Sequence, residues 1–599
     1  MRWGKGLEMT DKPDFKKRLS ALRKEMKRLG IDGFMIPSAD AFQGEYVPAS
    51  ERRLAWISGF TGSMGQAVVL AGKAALFVDG RYTLQAAKET DGKLFTLVGT
   101  HEQTLVAWLT ANLKDGQILG IDPWLVTANG YRLLEDGCAK AGASLRQLDA
   151  NPLDGVWRDR PAPPASNVAA HDLAYAGEDR ADKRRRASRL LVQAKCDATL
   201  IAAPESVCWL LNLRAADVPY APLLRAFALL HADASVDLFL DESRLQADLG
   251  DGVRLHSQDC LISQLSALGR ARKSISVDPA QTPLLLTDCL KFSGARIVHS
   301  PDPCLGLRAV KNPVEIAGAR AAHRRDGAAL VRFLASVKAG VRETQAAKAV
   351  DAERAKEDLA QGPSFGTIAA HGANGAIVHY RARPGRDAKL KPGNLFLLDS
   401  GGQYLDGTTD VTRTVFIGPG QPTADMKRLF TLVLKGHIAL ASAVFPKGTQ
   451  GGQLDALARQ FLWREGFDYD HGTGHGVGSY LSVHEGPQRI AKSGGAAALE
   501  EGMILSIEPG YYRTAAFGIR IENLALVVPA KRLKGGERDM LAFEILTKAP
   551  IDKRLLAPGL LTKSERQWLN AYHLGIRRAL GSGLSAKPRA WLERATLPL

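Results

Sequence analysis

The N-terminal half of this chain repeats one plan, and the repetition limits its architecture more than any other feature. An amphipathic helical pattern (Phe15 to Leu29) leads into an apolar strand (Gly33-Phe34-Met35-Ile36). Trp56-Ile57 follows, then a strand pair ending Leu76-Phe77-Val78-Asp79-Gly80-Arg81. The order returns as Arg180 to Lys195, Thr199-Leu200-Ile201, Trp209-Leu210, Phe227 to Leu230 and Val236 to Asp241. The same alternation met twice predicts two similar α/β domains. Prolines mark the seams. Arg160-Pro161-Ala162-Pro163-Pro164-Ala165-Ser166 stops helix and strand and stiffens a connector. A second seam lies near Ser300-Pro301-Asp302-Pro303, after which Asn312-Pro313-Val314-Glu315 supplies an N-cap, a proline at N1 and an acid at N3 to start a helix. The expected domains are 1–160, 168–305 and 306–545, with an extension over 546–599.

Past residue 306 the pattern changes. Helical periodicity runs through Val314–Val337 and Glu343–Ala360, and strand-like runs then lie between glycines at Leu395–Leu398, Thr412–Ile417, Ile504–Ile507 and Ile519–Val528. Thr562-Lys563-Ser564-Glu565 is a capping box, and Trp568, Tyr572, Ile576 and Leu580 form an apolar stripe behind it. Such a tail packs on the third domain or on a twin subunit.

Composition excludes several classes. With 45% hydrophobic and 24% charged residues and a mean hydropathy of −0.12, a largely disordered chain or a polytopic membrane protein is ruled out. No run reaches the ~18 apolar residues of a membrane span, since the nearest, Ala67 to Val78, is broken by Lys73. Met1-Arg2-Trp3-Gly4-Lys5 lacks the apolar core of a signal peptide, so a cytoplasmic location is expected, with Met9 as a second candidate start. Six cysteines, none beyond Cys304, are too few for a disulfide scaffold. The net charge is +16, half of it in residues 531–599. Lys183-Arg184-Arg185-Arg186 adds to the case for nucleic acid, but reads as a solvated helix face. Neither nucleic acid nor membrane is expected as a partner.

The chemistry is concentrated in the third domain. Asp399 directly follows the apolar run Leu395-Phe396-Leu397-Leu398, and Asp410 precedes Val411-Thr412-Arg413-Thr414-Val415-Phe416 across a glycine-containing reversal. Two strands so joined can bring both acids side by side, where a divalent cation relieves their repulsion; the alternative is two turn aspartates. His471, His475 and His484 crowd a stretch built on alternating glycines, which let backbone press against whatever the imidazoles face. Glu508 ends the run Met503 to Ile507. In Ile519-Arg520-Ile521-Glu522-Asn523 the isoleucines share one face, and Arg520 and Glu522 the other. An exposed edge strand with a surface ion pair would account for that last pair equally well. Four acids with one histidine and no sulfur favour a hard or borderline ion such as Mn²⁺, and four carboxylates suit two ions about 3.5–4 Å apart. Gly362-Pro363-Ser364-Phe365-Gly366 fits the serine-hydrolase elbow, but a helical run (Val350 to Ala360) stands where that motif needs a strand, and the motif is rejected.

Leu398-Asp399-Ser400-Gly401, Gly407 to Thr414, His471-Gly472-Thr473-Gly474-His475-Gly476, Glu508-Pro509-Gly510-Tyr511-Tyr512 and Ile519 to Asn523 strongly resemble the pita-bread metallopeptidases, specifically the long, three-domain Xaa-Pro aminopeptidases. Ile57 to Ser63 and Val78 to Tyr82 resemble their first domain, Trp209 to Arg214 the second, and Ala549 to Arg554 the C-terminal extension. The resemblance implies two creatinase-like α/β domains, an α+β pita-bread catalytic domain with a helical tail, and a homodimer. It implies hydrolysis of the bond before a proline at the second position of a peptide, through a hydroxide bridging two metal ions. A prolidase-like dipeptidase or an inactive scaffold on the same fold are the alternatives. By the same resemblance Asp399, Asp410, His475, Glu508 and Glu522 are the metal ligands. Glu508 is also the proton carrier, while His379 in Ile377-Val378-His379-Tyr380 faces the tetrahedral intermediate and His484 holds substrate and oxyanion. His471 lines the pocket, Arg520 orients the water network or Glu508, and Tyr512 is a hydrogen-bonding neighbour.

Overall fold

The structure, a computed structural model, describes residues 13–532 and 534–599. Met9 and the stretch Met1 to Lys5 considered above lie outside the described residues. The described chain divides into two compact units. One comprises the residues up to Asp172 with Glu178–Leu305; the other comprises Leu173–Gly177 with Gly306–Leu599.

The first unit holds the expected repeat. After helix α1 (Phe15–Arg28), strands β1 (Gly33–Pro37), β2 (Gln66–Leu70), β3 (Ala74–Val78), β4 (Thr96–Gly99), β5 (Ile118–Ile121) and β6 (Ser144–Gln147) form a six-stranded sheet in the order β4-β3-β2-β1-β5-β6. Helix α2 (Arg180–Gln193) opens the second copy. Strands β7 (Ala198–Ile201), β8 (Phe227–His231), β9 (Val236–Phe239), β10 (Val253–His256), β11 (Ser274–Val277) and β12 (Arg296–His299) pair as β10-β9-β8-β7-β11-β12, the same order shifted by one copy. Pairing sense repeats as well: the three central strands of each copy are antiparallel and the outer joins parallel. Side-chain alternation explains the layering of the first sheet. Phe34, Ile36, Val69, Leu76 and Val78 pack on one side with Leu19, Leu22 and Met26 of α1. Met35, Val68, Ala75 and Phe77 pack on the other with Trp108 and Leu134. Both faces are covered, which suits runs this continuously apolar.

One expectation fails in this unit. Lys183 and Arg184 are 2% and 6% exposed, so only half of the basic run faces solvent. Lys183 Nζ donates to Asn212 Oδ1 at 2.7 Å and lies 4.8 Å over the Trp209 ring. Arg184 Nη2 donates to the Asp251 carbonyl at 2.7 Å. Two of the four charges therefore serve packing, anchored by groups far away in sequence.

In the second unit, helix α3 (Pro313–Ser336) begins at the predicted capping box, closed in both directions between Asn312 and Glu315. Helix α4 (Glu343–Arg354) ends earlier than its periodicity suggested, and Ala360–Pro363 is a strand. A strand therefore does precede Ser364, contrary to the sequence reading, yet no helix follows: β13 (Ile368–His371) does. Ser364 is buried with Oγ donating to the Thr409 carbonyl at 2.8 Å, so the hydrolase elbow stays rejected, for a different reason.

Strands β14 (Leu395–Ser400) and β15 (Val411–Phe416), buried at every position, pair with β13 in the order β13-β14-β15. Helices α5 (Ala424–Ala441) and α6 (Gly451–Trp463) follow, then β16 (Gly474–Gly476) and β17 (Ile504–Ile507), the hairpin β18 (Gly510–Arg513) with β19 (Phe517–Arg520), and β20 (Asn523–Pro529). β16, β17 and β20 belong to a six-stranded sheet. The run expected as one strand over Ile519–Val528 is split: the chain leaves the hairpin after Arg520 and rejoins the large sheet at Asn523, and the Glu522 amide donates to the Thr412 carbonyl at 3.2 Å.

The tail packs on this same unit, one of the two placements the sequence allowed. Helix α7 (Lys563–Leu580) starts at the Thr562 capping box. Trp568, Leu569 and Tyr572 join the cluster of Leu429, Phe430 and Val433, while Ile576 and Leu580 meet Val331. Tyr572 also fixes the strands beneath it. Arg413, 2% exposed on β15, donates to Tyr572 Oη at 2.8 Å, Asn523 Oδ1 at 2.7 Å and the Ala549 and Glu522 carbonyls at 2.7 and 2.6 Å. A guanidinium buried this deeply is tolerable only because its donors are met. Among the described residues no helix is long and apolar enough to cross a membrane.

Candidate metal centre

The antiparallel register of β14 and β15 sets Asp399 opposite Thr412 and Ser400 opposite Val411, so Asp410 enters beside Asp399. The reversal between them works because Gly401 has no side chain: a Cβ there would lie 2.0 Å from the Thr409 carbonyl oxygen. β16 brings His475, the end of β17 brings Glu508, and the break after β19 turns Glu522 inward. Ligand atoms of Asp399, Asp410 and Glu522 lie within 4.8 Å of one another, as do those of His475, Glu508 and Glu522, and those of Asp410, His475 and His484. All five predicted ligands therefore converge, and His484 closes in on the same group. The alternating glycines serve another purpose than expected. A Cβ on Gly474 would lie 2.0 Å from the Ser506 carbonyl oxygen and one on Gly476 2.4 Å from that of Glu485, so they admit neighbouring backbone to the strand.

The site is arranged to hold cations. Asp399 Oδ1 and Asp410 Oδ1 are buried without a hydrogen-bond partner, a costly state for carboxylates unless a charge faces them. His475 Nδ1 lies 2.9 Å from the Gly476 carbonyl and donates to it, which leaves Nε2 aimed inward, a ligand once a cation displaces its proton. That Nε2 stands 3.5 Å from Asp410 Oδ2 and 3.6 Å from Glu508 Oε1, too far for good hydrogen bonds and a natural spacing for ligands of one ion. Burial, then the neighbouring Asp410, pushes the Glu522 carboxyl well above the usual carboxylate range; burial also lifts Asp410 to about 6, with Asp399 adding to the rise. Burial opposes charge on His475, but Asp410 and Glu508 hold it up at about 9. These groups relieve their repulsion by taking protons or cations, and the donor set fits hard or borderline divalent ions.

Around the acids runs a hydrogen-bonded chain. Arg520 Nη2 donates to Asp399 Oδ2 at 2.6 Å, Nε to Thr412 Oγ1 at 3.0 Å and Nη1 to Tyr512 Oη at 2.6 Å. Thr412 Oγ1 in turn donates to Glu522 Oε2 at 2.7 Å. Tyr512 Oη lies 2.8 Å from His471 Nε2, whose Nδ1 is 2.8 Å from the Gly472 carbonyl; the hydroxyl donates to Nε2, and Nδ1–H donates to the carbonyl. Burial pushes the Tyr512 hydroxyl up to about 12, so it stays a donor. His484 meets His475 edge to face with ring centroids 4.4 Å apart. His379 is in none of the ligand groups; the carbonyl before it, Val378, accepts from Arg520 Nη2 at 3.5 Å. Sequence reasoning missed Thr412. The polar alternation Asp410, Thr412, Thr414 opposite Val411 and Val415 was the available signal. It also missed Arg459, which carries the His471 carbonyl at 2.8 Å and pairs with Asp455 at 2.6 Å.

Comparison with known proteins agrees with this geometry. Residues 317–529 match "Metallopeptidase family M24", 18–151 and 159–315 each match "Creatinase/Prolidase N-terminal domain", and 539–599 match the "C-terminal region of peptidase_M24". The chain is 41% identical to a probable Xaa-Pro aminopeptidase P of Aspergillus clavatus, over 97% of this chain and 92% of that protein. It is 40% identical to the Aspergillus niger counterpart, over 98% and 99%. Among solved structures, the X-prolyl aminopeptidase of Caenorhabditis elegans, described as a cytosolic enzyme with a di-nuclear active site, superposes with a TM-score of 0.92 at 32% identity, covering 98% of this chain and all of that one. The chain thus belongs to metallopeptidase family M24 and, within it, to the Xaa-Pro aminopeptidase P group.

Proposed function

We propose that this protein is a metal-dependent aminopeptidase that releases the first residue of peptides carrying proline at the second position. The observation that carries the reading is the convergence of Asp399, Asp410, His475, Glu508 and Glu522 around two buried carboxylate oxygens that lack partners. Asp399, Asp410 and Glu522 would hold one divalent ion, and Asp410 and Glu522 together with His475 and Glu508 the second. Mn²⁺ is the ion we favour, from the oxygen-rich donor set. When bound, such ions supply a water acidified enough to attack a carbonyl near neutral pH.

The side chains divide the remaining work. Glu508 and His475 are 19% and 18% exposed while Asp410 is 5%, so the open side of the cluster, where a peptide can arrive, is the Glu508 side. Glu508 accepts from Ser506 Oγ at 3.2 Å, which keeps its carboxylate turned to that side. There it takes the proton of the attacking water and returns it to the proline nitrogen, which as a tertiary amide cannot leave without one. His484, packed on His475, and His379 donate to the oxygen that gains charge. Arg520 pins Asp399, and Tyr512 pins Arg520. His471 has both ring nitrogens engaged with protein, so we assign it to holding Tyr512 in place of touching substrate.

The cytosolic location, supported by the description of the Caenorhabditis elegans enzyme, and a homodimer complete the reading. The deciding experiment compares cleavage of Xaa-Pro-Yaa and Xaa-Ala-Yaa peptides with and without Mn²⁺. Metal-dependent cleavage of the first alone supports the proposal. Cleavage confined to Xaa-Pro dipeptides would make the protein a dipeptidase, and inertness toward all of them would leave a scaffold.

A further inference from the structure

Glu343 stands in the first turn of α4, 0% exposed, and no lysine, arginine or histidine pairs with it among the described residues. Its charge is met entirely by neutral donors from one segment. Oε1 accepts from the His371 amide at 2.7 Å and Asn374 Nδ2 at 3.0 Å; Oε2 accepts from Tyr380 Oη at 2.8 Å and the Ala388 amide at 2.8 Å. Asn374 Nδ2 also reaches Tyr380 Oη at 3.0 Å. The backbone closes the arrangement: the Glu343 amide donates to the Ala388 carbonyl at 3.0 Å, and the Leu390 amide to the Val341 carbonyl at 2.8 Å. An anion in the first helical turn is favoured by the helix dipole, and hydrogen bonds to an ionised acceptor are about twice as strong as neutral ones.

The segment gathered in this way, 371–388, is the one that carries His379. It is pressed against the metal centre at two further points. Tyr380 packs with Tyr512 on Ile368, Ala370 and Leu397, and the Val378 carbonyl meets Arg520. Burying an unpaired carboxylate is expensive, and an apolar residue could fill the same volume at the end of a helix without that cost. A carboxylate is warranted where a loop must converge on one point from several directions.

We propose that Glu343 is a positioning residue: its buried carboxylate ties both ends of segment 371–388 and Tyr380 to one anchor, and so fixes His379 at the edge of the metal centre. This rests on the reading of His379 given above. Among the described residues Glu343 makes no hydrogen bond to the ligands themselves, and the proposal has its effect pass through His379 and not through metal occupancy.

The test is a double-mutant cycle on the Mn²⁺-loaded full chain, with an Xaa-Pro-Yaa peptide: Glu343→Gln, His379→Ala and the double variant, each with kcat, KM and bound metal per chain. Glu343→Gln keeps the volume but turns an amide NH₂ toward donors, and should lower kcat about 10- to 100-fold with little change in KM. Its metal content should match the parent. In the His379→Ala background the same change should cost less than about twofold, because coupled residues are not additive. An equal loss in both backgrounds, a loss of metal, or a parental kcat in Glu343→Gln overturns the proposal. Should Glu343→Gln fail to fold, Tyr380→Phe removes a single donor, and the same non-additivity with His379→Ala is required of it. A parental kcat in His379→Ala overturns the reading of His379 and this proposal with it. Lost turnover in His379→Ala with additive Glu343→Gln overturns the positioning alone.

Discussion

Acid should loosen the C-terminal tail through two histidines. His437 on α5 and His573 on α7 flank the aromatic pair Trp568–Tyr572, and both lie near Arg413. His437 Nε2 accepts from Asn523 Nδ2 at 3.0 Å, and His573 Nε2 from the Ile551 amide at 3.1 Å, roles open only to neutral imidazole. Burial first, and then the charge of Arg413 or Lys553, pulls each from its ordinary 6.5 down to about 3. In the unfolded chain both protonate below about pH 6.5 while the folded protein holds them neutral, so stability is complete above that pH and falls as pH drops toward about 3. At about pH 5 each has lost about 1.5 pH units at ~1.4 kcal/mol per unit, or about 4 kcal/mol for the pair. That is a large share of a total of about 5–15 kcal/mol. Urea unfolding at about pH 7 and pH 5 measures it, comparing the parent with a His437→Gln/His573→Gln variant. The difference cancels the titration of the metal ligands, which both proteins share. The parent should lose about 4 kcal/mol more than the variant between the two pH values. Equal losses would show that the two imidazoles are not held neutral by the fold.

Three further outcomes are expected. Glu508→Gln removes a ligand oxygen and the group that moves the proton, so kcat/KM on an Xaa-Pro-Yaa peptide should fall by about 10³ or more; a rate near the parent's would remove Glu508 from the chemistry. Stripping metal with a chelator leaves Asp399, Asp410 and Glu522 facing one another, so the melting midpoint should drop by several degrees and recover on adding Mn²⁺; an unchanged midpoint would mean that no ion resides there. Tyr572→Phe deletes the hydroxyl that meets Arg413, Asn523 and Ala549, and should cost about 1–3 kcal/mol in denaturant unfolding; a cost near zero would show that Arg413 finds other acceptors.

Two of the proposed metal ligands were legible because they sit where an apolar run stops. Asp399 after Leu395–Leu398 and Glu508 after Ile504–Ile507 break a hydrophobic run at its end, which is affordable only where something compensates. Arg520 and Glu522 were found by alternation, and the structure keeps both inward even though the strand breaks between them. The capping boxes at Asn312 and Thr562 were equally plain, since their whole interaction spans four residues. What stayed hidden depends on distant partners. Lys183 is buried because Asn212 and Trp209 come to it, and Glu343 looks like any helix-start acid until His371, Tyr380 and Ala388 gather around it. The early end of α4 at Arg354 belongs to the same class: Arg354 is fixed by Asp326 on another helix at 2.7 Å, and the polar residues beyond it carry no periodic signal strong enough to mark the stop.

The bond between Arg413 and Tyr572 spans 159 positions of chain. During translation at about 5–20 residues per second, the strand bearing Arg413 is made on the order of ten to thirty seconds before its clasp. For that interval a deeply set guanidinium has no phenol to receive it, and the neighbouring acids hang on an unfinished frame. The acids should therefore reach their working arrangement only after the helix bearing Tyr572 has been made, and chains cut short before it should be inert.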